Sequence, residues 1–116
     1  MTAWMRATGE SPMQLVQIRD GSLGYADMSD GFLRRIVIDE EWEEDFFRVA
    51  DAILAEGGVF LDVGANYGLL SFGLAGRSSD KIDFHLFEPN RNLHPWIEKS
   101  RDLYPDAQLR LNRVAV

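Results

Sequence analysis

Cysteine is absent from the 116 residues, which removes disulfide frameworks and any zinc or iron-sulfur site built on thiolates. Histidine is nearly so: His85 and His94 are the whole supply, and no metal site is expected. Cations are outnumbered, with twelve Lys and Arg against nineteen Asp and Glu and a net charge of -7. A phosphate backbone is held by clustered cations, so this balance argues against nucleic acid as a partner. Long apolar runs are missing too. Nothing approaches the ~20 residues of a membrane span, and residues 1–14 lack the apolar centre of a secretory signal. A membrane partner is not expected, and the cytoplasm is the default compartment.

What is present is the composition of an ordinary globular domain, 46% hydrophobic and 27% charged, at a length that suits one domain and not two. Residues 1–12 show no period and read as a mobile start. Residues 13–38 hold three strand-like runs, MQLVQIR, LGYADM and FLRRIVI, separated by Asp20-Gly21 and Asp30-Gly31. Asp-Gly between apolar runs signals a hairpin, because glycine supplies the positive φ of a tight turn. A small antiparallel β-meander is therefore expected over 13–38.

Residues 39–116 change character. Six of the seven residues from Asp39 to Asp45 are acidic, which reads as carboxylates on the first turns of a helix rather than as a metal site. Trp42, Phe46, Val49, Ala50, Ile53 and Leu54 recur at spacings of three and four and share one helical face, and Gly57-Gly58 ends the helix. Then come a strand VFLDV, a loop GANYG, a helix LLSFGLA, a polar turn and a strand IDFHLF. That is a βαβ unit, with parallel strands joined by a right-handed crossover. VFLDV is almost continuously apolar, as a central strand covered on both faces would be. A second helix runs from about Leu93 through Trp96 and Ile97, with Pro95 in its first turn, and AQLRLNRVAV supplies a third strand. The fold class is α/β.

Ligands of open α/β sheets sit beyond the carboxyl ends of the strands. After VFLDV, Gly64 and Gly68 allow a sharp turn and close backbone approach, and the following helix N-terminus offers N-H groups to an anion such as an amino-acid carboxylate. After IDFHLF, Glu88 stands where an acid accepts hydrogen bonds from a ribose diol. Dinucleotide-binding domains share both features, so the loop decides between them. It reads Gly64-Ala65-Asn66-Tyr67-Gly68 with no G-x-G pair. Tyr67 would crowd a pyrophosphate, and Asp62 would repel one while suiting an ammonium group or a bound water. S-adenosylmethionine offers a carboxylate, an ammonium and a ribose diol without phosphate. His85 and His94 read as satisfied or solvated, Ser71 belongs to no nucleophilic triad, and Trp96 reads as core.

Two motifs, Asp62-Val63-Gly64-Ala65-Asn66-Tyr67-Gly68 and Phe87-Glu88-Pro89-Asn90, resemble the D-V-G-A-N-x-G loop and F-E-P-N strand end of the FkbM-type methyltransferases. Asn66 is typical of that branch, and asparagine tolerates the left-handed conformation. Trp42-Glu43 and the terminal Asn112-Arg113-Val114-Ala115-Val116 are weaker likenesses. The resemblance implies a Rossmann-like class I methyltransferase core, here incomplete at about three parallel strands. It also implies that the Gly64–Gly68 loop holds the methionine part of S-adenosylmethionine and that Glu88 holds the ribose hydroxyls. Pro89 and Asn90 would shape the strand exit and line the pocket. Asp62 would either contact the amino group or brace the loop. The implied acceptor is a hydroxyl on a small molecule or glycan. No catalytic base is singled out, and strands of the acceptor half would follow the third strand, so the chain is expected to be a truncated, poorly active piece. A homo-oligomer covering the bare sheet edges is the expected partner state. The rival readings are the dinucleotide-binding domain of an oxidoreductase and a non-catalytic module on a degenerate methyltransferase fold.

Overall fold

The computed structural model describes residues 13–29, 31, 42–78 and 80–116. The N-terminal stretch, the third run of the expected meander and the first part of the acidic run lie outside the described residues. Strands β1 (Met13–Arg19) and β2 (Ser22–Asp27) form an antiparallel hairpin about Asp20-Gly21, and Gly21 takes the positive φ of 82° that the turn requires. Next come α1 (Glu44–Ile53), β3 (Gly58–Val63), α2 (Leu69–Ser78), β4 (Ile82–Phe87), α3 (His94–Arg101) and β5 (Gln108–Asn112). The last three strands make a parallel sheet in the order β3-β4-β5. The molecule is thus α/β, a two-stranded antiparallel sheet followed by a partial Rossmann-like core.

Each strand of the parallel sheet adds on the same side of the one before it. Two right-handed crossovers in one direction place both helices on the same face. That face carries the core: Ile82, Phe84 and Leu86 of β4 are buried, and Phe60, Leu109 and Leu111 pack against them. The hairpin lies on the far side of α2 and α3, making a third layer, and α3 with the turn after it supplies what its outer edge lacks. The Leu23 N-H donates to the Tyr104 hydroxyl (2.8 Å), which donates back to the Leu23 carbonyl (2.5 Å), and the Tyr25 N-H donates to Ser100 Oγ (2.7 Å). A strand edge left unpaired invites other chains, and here side chains take that role. On the inner side the Ser22 hydroxyl donates to the Gly73 carbonyl at 2.8 Å.

Two expectations are corrected. Among the described residues, strand β3 lies at the sheet edge rather than in its centre, and its Val59, Leu61 and Val63 side chains are 59–61% exposed. Its continuous apolar run therefore has one face covered by the described residues, not two. In α1 the shared face is also different. Phe47, Ala50 and Leu54 are buried, while Val49 and Ile53 are exposed. Phe47 takes the inward position because Gly73 of α2 has no side chain to oppose its ring. Glu44 and Asp45 do sit in the first turn of α1.

Candidate functional site at the carboxyl ends of β3 and β4

Strands β3 and β4 pair from Gly58↔Ile82 to Val63↔Phe87, so the segments leaving them start side by side. The loop from Gly64 to Gly68 has three left-handed residues, Gly64 (φ 69°), Asn66 (φ 58°) and Gly68 (φ 78°). These fold it back on the sheet, where the Gly64 and Ala65 N-H groups both donate to the Phe87 carbonyl at 2.9 and 3.0 Å. The Gly68 N-H closes the turn on the Ala65 carbonyl, and the Gly68 carbonyl accepts the Phe72 N-H to start α2. The outer glycines answer different needs. A Cβ at Gly68 would lie 2.7 Å from Phe72 and 2.9 Å from Leu86, whereas one at Gly64 would meet nothing within 4 Å. Gly64 faces open space, where a ligand can approach the backbone.

Glu88 is buried, at 7% exposure, and all four of its polar groups are engaged. Its N-H donates to the Asn112 carbonyl of β5 (3.1 Å). Its carbonyl accepts from the His94 ring Nε2 (2.6 Å). One carboxylate oxygen accepts the Asn66 N-H (2.7 Å) and the other the Asn90 N-H (2.9 Å). Glu88 therefore joins the loop after β3 to the strand exit after β4. A carboxylate has about four acceptor sites, so the two in use leave capacity for a diol.

Asp62, also buried, accepts the Ser71 hydroxyl at 2.7 Å. Burial pushes its carboxyl above the usual carboxylate range; hydrogen bonds from the Ser71 hydroxyl and backbone pull it down, and the Glu88 charge adds to the upward push. The structure thus shows Asp62 bracing the first turn of α2. Two N-H groups that could have faced an incoming anion, those of Asn66 and Ser71, serve Glu88 and Asp62 instead. Fewer N-H groups of this helix N-terminus are thus left to face an anion than the sequence suggests.

The remaining expected residues fall around this core. Ala65 and Tyr67 are buried, and the Tyr67 ring packs edge-on against Trp96 of α3 at 5.9 Å. The ring is thus packed against α3, not set over the loop where it would crowd a pyrophosphate. Pro89 and Asn90 are exposed at the strand exit. Asn90 shapes it, its side chain accepting the Asn92 N-H and its carbonyl the Leu93 N-H. Sequence reasoning assigned no part in the site to Ser71 or His94. No motif spacing links Asp62 to a serine nine residues on, or Glu88 to a histidine six residues on; both contacts exist only once the helices are docked. His85 pairs with Asp83 at 3.1 Å, away from these residues on the open face of the sheet. Among the described residues no group of three metal-ligating side chains is assembled, and no helix is long and apolar enough to cross a membrane.

Compared with models of known protein families and with curated proteins, the chain matches none.

Proposed function

We propose that this chain is the cofactor-binding part of an S-adenosylmethionine-dependent methyltransferase of the FkbM type, acting on a hydroxyl of a small molecule or sugar. The observation that carries the reading is the pairing of a left-handed glycine loop with a buried carboxylate on the adjacent strand, joined by the 2.7 Å bond from Asn66 N-H to Glu88. Two buried carboxylates, Asp62 and Glu88, make the site a poor host for a pyrophosphate. They suit a ligand that brings hydroxyl and ammonium donors, as S-adenosylmethionine does. When bound, that group supplies a methyl already activated on a sulfonium. The part of the chain is then to bind and align. Glu88 accepts from the ribose hydroxyls, and Gly64 gives the methionine portion access to the backbone. Asp62 keeps the loop and α2 in register, so that effective concentration rather than bond chemistry is the main contribution.

Calorimetric titration of the chain with S-adenosylhomocysteine and with NAD tests the reading. Binding of the first alone, lost in Glu88→Ala, is the expected result. Binding of NAD alone would make the site a dinucleotide site. Failure of both ligands would favour a non-catalytic module.

A further inference from the structure

We infer that His94 is a positioning residue of this site, holding the Glu88 peptide so that the Glu88 carboxylate reaches the loop. Its place in the binding site rests on the reading above, while its effect on the loop is testable without any ligand. Strand β4 stops at Phe87 because its neighbour β5 ends at Asn112, whose carbonyl takes the last ladder hydrogen bond from Glu88. The Glu88 carbonyl thus lies beyond the ladder, and the next residue, Pro89, is exposed and brings no N-H of its own to the turn. A buried carbonyl left without a donor is unfavourable, and the donor comes from six residues on. His94, the first residue of α3 and only 7% exposed, presents Nε2 at 2.6 Å. That bond implies the tautomer with its hydrogen on Nε2.

The connection runs further than one carbonyl. The segment between the two residues is itself closed by the Asn92 N-H on the Asn90 side chain, the Leu93 N-H on the Asn90 carbonyl and the Asn90 N-H on the second Glu88 oxygen. His94 anchors the far end of this small ring to its start. With the backbone of Glu88 held on one side by Asn112 and on the other by His94, the side chain leaves from a fixed origin. Its first oxygen then meets the Asn66 N-H at 2.7 Å. Without His94 the Glu88 carbonyl loses its donor and the Glu88–Pro89 peptide is held on one side only, so the bridge between the two halves of the site loosens.

The test compares His94→Leu, which removes the donor, with His94→Gln, whose amide nitrogen reaches about as far as Nε2. Amide hydrogen exchange of Asn66 and Asn90 is followed by NMR in the ligand-free protein, and S-adenosylhomocysteine affinity by calorimetry. In His94→Leu, protection of both amides should fall by about tenfold, the weight of one buried hydrogen bond, with affinity falling by a similar factor. His94→Gln should restore both to within about threefold. If His94→Leu does not fold, His94→Asn replaces it, since its amide stops short of the carbonyl. Unchanged protection of Asn66 in the donor-free variant, or equal losses in the donor-free variant and His94→Gln, would overturn the inference. Wild-type protein that shows the exchange pattern but binds no S-adenosylhomocysteine would leave His94 in its positioning role and remove the cofactor reading instead.

Discussion

A methyl group added at Gly68 would press on Phe72 and Leu86, while the same methyl at Gly64 would stand in open space. Both positions also have positive φ. Gly68→Ala should therefore cost about 2–4 kcal/mol, strain and overpacking together. Gly64→Ala should cost only the strain, roughly 1–2 kcal/mol, yet lose ligand affinity out of proportion to its stability. Urea unfolding beside calorimetry separates the two. Asp62 gives a prediction with a sign in pH. Its carboxyl is raised by burial in the folded state, so the folded form binds its proton more tightly than the unfolded chain. The stability this provides is present below the usual carboxylate range and is lost as pH rises through the raised folded value. Relative to Asp62→Asn, wild-type protein should thus become less stable between acid and neutral pH, measured by denaturant unfolding across that interval. Ser71→Ala, which takes a donor from the charged form, should cost about 1.5–3 kcal/mol at neutral pH. That the loop and Glu88 lie side by side was readable because glycines after one parallel strand and an acid after the next leave neighbouring strand ends. Their mutual bond was not, because it depends on how the loop folds back over the paired strands, and the bonds to Ser71 and His94 were not, because each depends on where a helix docks.

Helix α2 meets the loop at its N-terminus, the parallel sheet on one side and the hairpin on the other. Such a crowded element needs small residues. Side chains at Gly73 or Gly76 would run into Phe47 or into Ser22 and the Gly21 carbonyl. Gly76→Ala should push the hairpin outward at a cost of about 1–3 kcal/mol, visible as a lower thermal midpoint and weaker near-ultraviolet dichroism. Arg19 closes the same junction. It grips Asp51 with two bonds of 2.7 Å, donates from Nε to the Gly73 carbonyl and stacks over Phe47. Its hydrogen bond to Asp51 holds that carboxyl below the usual range. The clamp is therefore intact above that range and weakens as pH falls through the lowered value. Lysine cannot make this fork. The face of α1 shows why periodicity alone misled: the stripe through Phe46, Val49 and Ile53 is as regular as the one through Phe47, Ala50 and Leu54. Only the bare backbone at Gly73 selects between them. An apolar run such as Val59–Val63 likewise records what a strand can bury, not what lies against it.

At the scale of the described molecule, everything packs on one face of the parallel sheet, and the other shows Val59, Leu61 and Val63 beside an edge that no described residue pairs. Bare edges and apolar faces promote association. The protein should self-associate with rising concentration, and Leu61→Glu should weaken this in sedimentation experiments while shifting stability by no more than ~0.5 kcal/mol. Association unchanged by that substitution would place the contact elsewhere. The hairpin carries a further consequence, for the order of events in folding. Its outer edge is completed by residues 75 and 81 positions further along the chain. Contacts that close such long loops form late and slow the search for the native state. The two hairpin strands thus wait, half-satisfied, until Ser100 and Tyr104 have been added, and the hairpin is among the last of the described elements to reach its resting place.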